Sequence, residues 1–132
     1  MRITWMMLAL LAACGGADTT WAQSGCDASG ANCSLQCAPN RTCKGSCAAS
    51  CSAQCAVGSN CTLTTGASGS VNCVNATCAF TVGASGSVSC SNSTCHVTCT
   101  GSCSLSCTGG SCDLRCPSDT AARLVTGSAQ CV

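Results

Sequence analysis

The feature that most limits what this chain can become is a five-residue box, met ten times, with Cys, Gly or an apolar residue at alternate places. One series reads CSLQC from Cys33, CSAQC from Cys51, GSVNC from Gly69, GSVSC from Gly86 and CSLSC from Cys103. The interleaved series reads CKGSC from Cys43, CTLTT from Cys61, CAFTV from Cys78, CHVTC from Cys95 and CDLRC from Cys112. Within each box the first, third and fifth residues share one side and the second and fourth the other, which is the period of a strand. Gly, Ser, Thr and Cys are poor helix formers, and no 3.6-residue period runs through the region. Turn-forming segments such as Ala38 to Thr42, Val57 to Asn60 and Thr108 to Ser111 separate the boxes.

Strand, turn, strand, turn, repeating every 17 or 18 residues, describes one coil of a two-sided β-solenoid. The expected fold class is therefore all-β, with about five coils over residues 33–117. Stacked at ~4.8 Å, five coils make a rod on the order of 24 Å long. Residues 14–32 are expected to form a tether, flexible from Gly15 to Gly25, and residues 118–132 a C-terminal cap.

Such a rod has little conventional material for a core. The chain has 132 residues, of which 19 are Cys and only 2% aromatic, and Cys and Ala supply most of its apolar fraction. Too few large apolar residues remain for an ordinary core, so either the chain is disordered or cross-links replace the core. A cysteine content this high argues for cross-links in an oxidising compartment. In a narrow coil the last residue of one box lies across the core from the first of the next. That relation pairs Cys37 with Cys43, Cys47 with Cys51, Cys55 with Cys61, Cys73 with Cys78, Cys90 with Cys95, Cys99 with Cys103, and Cys107 with Cys112. Where one side lacks its cysteine the other does too, at Thr65 and Gly69 and at Val82 and Gly86. Cys33 and Cys116 remain at the ends, with Cys26 and Cys131 free to take them. The alternative is a ladder along the stack, Cys37, Cys55, Cys73, Cys90 and Cys107, whose spacing also suits a disulfide but whose odd number strands one thiol.

The nineteenth cysteine lies elsewhere. Met1-Arg2 and the apolar run Ile3 to Ala13 form a leader too short to span a bilayer. It ends in Leu11-Ala12-Ala13-Cys14-Gly15, which resembles the bacterial lipobox. That resemblance implies a signal peptide over residues 1–13, lipidation at Cys14 and attachment to a membrane. Gly15 in place of Asp implies the outer membrane. The rival is cleavage after Ala22 and free secretion; both leave an even 18 cysteines.

Over Cys33 to Cys116 the box pattern resembles the Cys-cored β-solenoids of insect antifreeze proteins and Cys-rich repeat proteins of bacterial envelopes. The antifreeze resemblance implies an outward Thr-x-Thr ladder that binds ice. Here Thr62-x-Thr64 is a full match, while Ala79-x-Thr81 and His96-x-Thr98 are half matches.

Chemistry is sparse. The one His is His96, there is no Glu, and Asp18, Asp27, Asp113 and Asp119 are scattered. No general base, carboxylate pair, phosphate loop or nucleophile elbow can be assembled, so no enzyme and no cofactor are expected. Eighteen thiolates could hold soft metals, but Cys-x-Cys and Cys-x-x-Cys are absent, Lys occurs once, and export favours disulfides. A net charge of +1 offers no footprint for nucleic acid. Glycosylation triplets at Asn32, Asn40, Asn60, Asn75 and Asn92 matter only in a eukaryotic source. The expectation is a non-enzymatic envelope lipoprotein of structural or adhesive role. Its most regular surface is the Ser/Asn/Gln face, which is also a surface for self-association.

Overall fold

The computed structural model describes residues 18–132, with side chains from Trp21 onward; the leader and Cys14 lie outside the described residues. Five coils wind in parallel. They consist of β3 (Ser34–Cys37) with β4 (Thr42–Cys47), β5 (Ser52–Cys55) with β6 (Asn60–Thr65), and β7 (Ser70–Val74) with β8 (Thr77–Val82). The last two are the continuous strands β9 (Gly86–Cys99) and β10 (Cys103–Arg115), each of which bends around a corner to supply both faces. No helix occurs among the described residues.

Register is kept from coil to coil. Ser34, Ser52, Ser70, Ser87 and Ser104 form one column, and Cys43, Cys61, Cys78, Cys95 and Cys112 form another. A slip of one residue would expose every cysteine and bury every serine, so the alternation locks the stack.

The corners require left-handed backbone, and the chain supplies residues that tolerate it. Asn40, Asn75 and Asn92 (φ 58°, 50° and 48°) turn one edge, and Ser50, Ser68 and Ser85 (φ 52°, 60° and 60°) turn the other. Asparagine accepts this region more readily than most residues. Serine is less suited and is held by pairing between coils: Ser50 N–H donates to the Ala67 carbonyl at 2.8 Å and Ser68 N–H to that of Ala84 at 2.8 Å.

Two rows of apolar side chains meet between the sheets. Leu35, Ala53, Val71, Val88 and Leu105 come from one side, and Leu63, Phe80, Val97 and Leu114 from the other, all buried. Disulfides close both edges of this thin core. Bridges join Cys37–Cys43, Cys55–Cys61, Cys73–Cys78, Cys90–Cys95 and Cys107–Cys112 along the asparagine edge. Along the serine edge they join Cys26–Cys33, Cys47–Cys51, Cys99–Cys103 and Cys116–Cys131. These are the across-the-core pairs and not the ladder. At the two gaps in the serine edge, side chains fill the space of a bridge. A Cβ on Gly69 would lie 2.7 Å from Thr65 Oγ1, and one on Gly86 would meet Val82 Cγ1.

Both ends are capped by strands that the box pattern does not contain. At the C-terminal end β11 (Arg123–Cys131) runs antiparallel along β10, from Cys103↔Cys131 to Leu114↔Arg123, and buries Val125. Arg123 Nη2 donates to the Gln130 carbonyl at 3.1 Å, so its guanidinium lies across the last coil.

The N-terminal end corrects an expectation. The stretch read as a flexible tether from Gly15 to Gly25 contains β1 (Asp18–Thr20), parallel to β4, and β2 (Ala22–Ser24), antiparallel to β3. Between them Trp21 is 2% exposed, and its Nε1–H donates to the Thr62 carbonyl at 3.1 Å. The physical reason is Gly45. A side chain there would begin 2.9 Å from Trp21 Cδ1, so the glycine leaves a socket that the indole fills.

Candidate functional site

The capping strands lengthen the Ser/Asn/Gln face beyond the five coils. From end to end the sheet runs β2, β3, β5, β7, β9, β10, β11. One outward column reads Ser24, Ser34, Ser52, Ser70, Ser87, Ser104, Gln130. The second reads Ala22, Gln36, Gln54, Asn72, Ser89, Ser106, Ser128. Apart from Ala22, every position is a hydroxyl or a primary amide, and none is charged. The strand period turns each polar group outward while Leu, Val, Ala and Cys turn in. The face is a shallow trough of about 610 Å³ between Ser52 and Gln130. Six strand spacings of ~4.8 Å make it roughly 29 Å long.

The opposite face carries the charge. Its columns are Lys44, Thr62, Ala79, His96, Asp113 and Ser46, Thr64, Thr81, Thr98, Arg115. A third outward column, Thr42, Asn60, Thr77, Thr94, Ser111, escaped the five-residue box because these strands begin one residue earlier. His96 is exposed, and its Nδ1 hydrogen-bonds the Asp113 carboxylate one coil on. Asp119 and Asp27 are engaged with other groups. Asp119 accepts from Cys116 N–H at 2.9 Å at the C-terminal end. Asp27 lies in the loop closed by Cys26–Cys33. There its carboxylate accepts from Ser29 Oγ–H at 2.6 Å, Ala31 N–H at 3.0 Å, Asn32 Nδ2 at 2.9 Å and Ser29 N–H at 2.9 Å. The Ser29 hydroxyl first, then the Ala31 amide, hold the Asp27 pKa down to about 2 by favouring the charged form.

Groups of three cysteine sulfurs within 4.8 Å of one another occur among the described residues, for example Cys55, Cys61 and Cys78. Each is built from neighbouring bridges, so in this oxidised form none presents a thiolate. The cysteines that sequence reasoning singled out, other than Cys14, are thus brought into the core and its end bridges. Reasoning from the sequence missed Trp21 and the extension of the neutral face by Ser24, Ser128 and Gln130.

Fold and surface together define a disulfide-cored β-solenoid, capped at both ends, with one neutral and one charged face. No protein-family model matches the chain, and neither a curated protein nor a solved structure matches it.

Proposed function

We propose that this chain is a non-enzymatic cell-envelope lipoprotein of structural or adhesive role, attached through Cys14, with the neutral face as its contact surface. The observation that carries the reading is the unbroken, charge-free ladder of hydroxyls and amides on a covalently stapled scaffold. A surface of this kind makes many weak, geometrically regular hydrogen bonds, and its rigidity keeps their entropic cost low.

Trp21 supports the anchor. Cleavage after Ala22 would remove β1 and the indole plug and leave the first coil open, whereas cleavage before Cys14 keeps both. Three residues then separate the lipid from Asp18, a reach of roughly 10 Å when extended, so the rod stands close to the bilayer. The two acyl chains implied by a lipobox satisfy what stable attachment needs. Gly15 favours the outer membrane by the same resemblance.

The test labels cells expressing the chain with radioactive palmitate and fractionates their membranes. The natural chain takes up label and sediments with the outer membrane, while Cys14→Ser takes up none. On the contact side, Ser70→Glu with Ser87→Glu reduces attachment of displaying cells, and Thr64→Glu with Thr81→Glu on the other face does not. Unlabelled natural protein would sink the anchor, and equal effects of the two pairs would sink the contact face.

A second reading is ice binding, which draws on the in-register column Thr64, Thr81, Thr98; inhibition of ice recrystallisation by the soluble Cys14→Ser form would favour it. Soft-metal binding, the third, requires reduced cysteines and is checked by metal analysis of the purified protein.

A further inference from the structure

The bridges along the serine edge are not evenly distributed. Two lie at each end, and the gaps at Thr65/Gly69 and Val82/Gly86 separate the pairs. At the N-terminal end Cys26 is exposed while its partner Cys33 is 4% exposed. The sulfurs of Cys33, Cys47 and Cys51 all lie within 4.8 Å of one another. Cys33 and Cys51 are also register neighbours, since Ser34 pairs with Ser52 on adjacent parallel strands.

From this geometry we infer that Cys26–Cys33 and Cys47–Cys51 together form a thiol–disulfide exchange site, whose substrate is a small dithiol or the dithiol of a redox protein. A donor thiolate attacks the exposed Cys26 sulfur; the Cys26–Cys33 bond breaks and Cys33 leaves as thiolate. The donor's second thiol closes on the mixed disulfide, expelling Cys26 as thiolate, which takes a proton from water. Two electrons have passed from donor to protein, and the donor is now a disulfide. The Cys33 thiolate then attacks Cys51. A Cys33–Cys51 bond forms, Cys47–Cys51 breaks, and Cys47 leaves as thiolate and is protonated, with no further change in redox state. Hydrogen bonds to Asp27 hold the loop between Cys26 and Cys33, so Cys33 stays facing its neighbour once its own bridge is gone.

At the other end the sulfurs of Cys99, Cys103 and Cys131 form the matching group. There Cys131 is 3% and Cys116 8% exposed, so a donor has no comparable entry. The filled gaps between the ends carry no sulfur, and exchange stops at Cys47–Cys51. The serine edge therefore has one reactive end.

The test uses the soluble full mature chain with Cys14→Ser. In Cys26→Ser, Cys33 begins as the lone thiol and no reductant is needed. After incubation at pH 8, the sample is quenched in acid, then alkylated in denaturant and mapped by peptide mass. Label divided between Cys33 and Cys47, with Cys47 carrying at least about a third, together with a Cys33–Cys51 linked peptide, is the expected result. Label confined to Cys33 would overturn the inference. Brief treatment of the unsubstituted protein with dithiothreitol is the second arm and does not depend on the folding of a variant. Cys26 with Cys47 or Cys33 should be labelled before Cys116 and Cys131, and first labelling at Cys116 and Cys131 would equally overturn it.

Discussion

Replacing Thr65 by Val should make this protein more stable, although it removes a polar group from a chain rich in them. The Thr65 side chain sits at a gap in the serine edge, 4% exposed, and its Oγ1 is buried without a hydrogen-bond partner. One coil on, Val82 occupies the same register position against Gly86. The hydroxyl therefore bears a desolvation cost with nothing to offset it, about 1–3 kcal/mol for a group of this kind. Valine has nearly the same shape, so packing against Gly69 is retained. The expected gain is about 1–2 kcal/mol, read as a higher guanidinium midpoint at unchanged slope. Trp21 fluorescence and far-ultraviolet circular dichroism should report it together, in the absence of reductant. A stronger version restores the missing bridge with Thr65→Cys and Gly69→Cys. The three atoms nearest a Cβ on Gly69 all belong to the Thr65 side chain, with Thr65 Cβ at 2.9 Å, so the two positions must separate by about 1 Å to reach the Cβ spacing of a bridge. On the chain-entropy account such a short loop contributes about 2 kcal/mol. Loss of stability in Thr65→Val would refute the reasoning, because it would mean that the hydroxyl is satisfied and the coil register is not the one described.

Three further outcomes follow from other parts of the fold. Trp21→Ala should cost about 3–5 kcal/mol locally, as a large aromatic leaves its socket; limited proteolysis should then cut between Asp18 and Ser24 while the coils resist. Gly66→Ala should destabilise strongly, because its Cβ would collide with the Ala48 carbonyl of the preceding coil, and lowered yield of nine-bridge protein by intact mass is the readout. The Asp27 carboxyl is held below its ordinary value, so it supports the loop above pH ~3.8 and loses that support as pH falls through about 2. The Ala31 amide resonance should titrate with a midpoint near 2, and a midpoint near 4 would show that the hydrogen bonds to Asp27 are absent in solution.

The coils were legible in the sequence because their cause is local and repeated. Cys33, Leu35 and Cys37 alternate with Ser34 and Gln36, and the same alternation returns at every box. The joint loss of cysteine at Thr65 with Gly69 and at Val82 with Gly86 pointed across the core, and the structure places those residues in contact there. The N-terminal cap was not legible. β1 and β2 are three residues each, too short to show a period. Trp21 is buried by the missing side chain of Gly45, 24 positions away, which no window along the chain can register. The third column on the charged face was hidden for a simpler reason, since Thr42 and Thr94 look like turn residues and only the pairing of adjacent coils makes them strand. The neutral face itself was visible as five rows, and its full seven required the antiparallel returns of β2 and β11.

Parallel in-register winding has one more implication, for how such a chain can change over generations. Each internal coil meets its two neighbours through the same columns, so a coil does not depend on its number in the series. Tandem duplication of the 17 residues from Gly69 to Ser85 would add one more turn of about 4.8 Å. Neither Trp21 nor Arg123 would sense it, since each contacts only the end it closes. Length in this protein is therefore a discrete variable, adjustable by whole turns without redesign of the ends. The distance between the two capped ends is set by counting repeats.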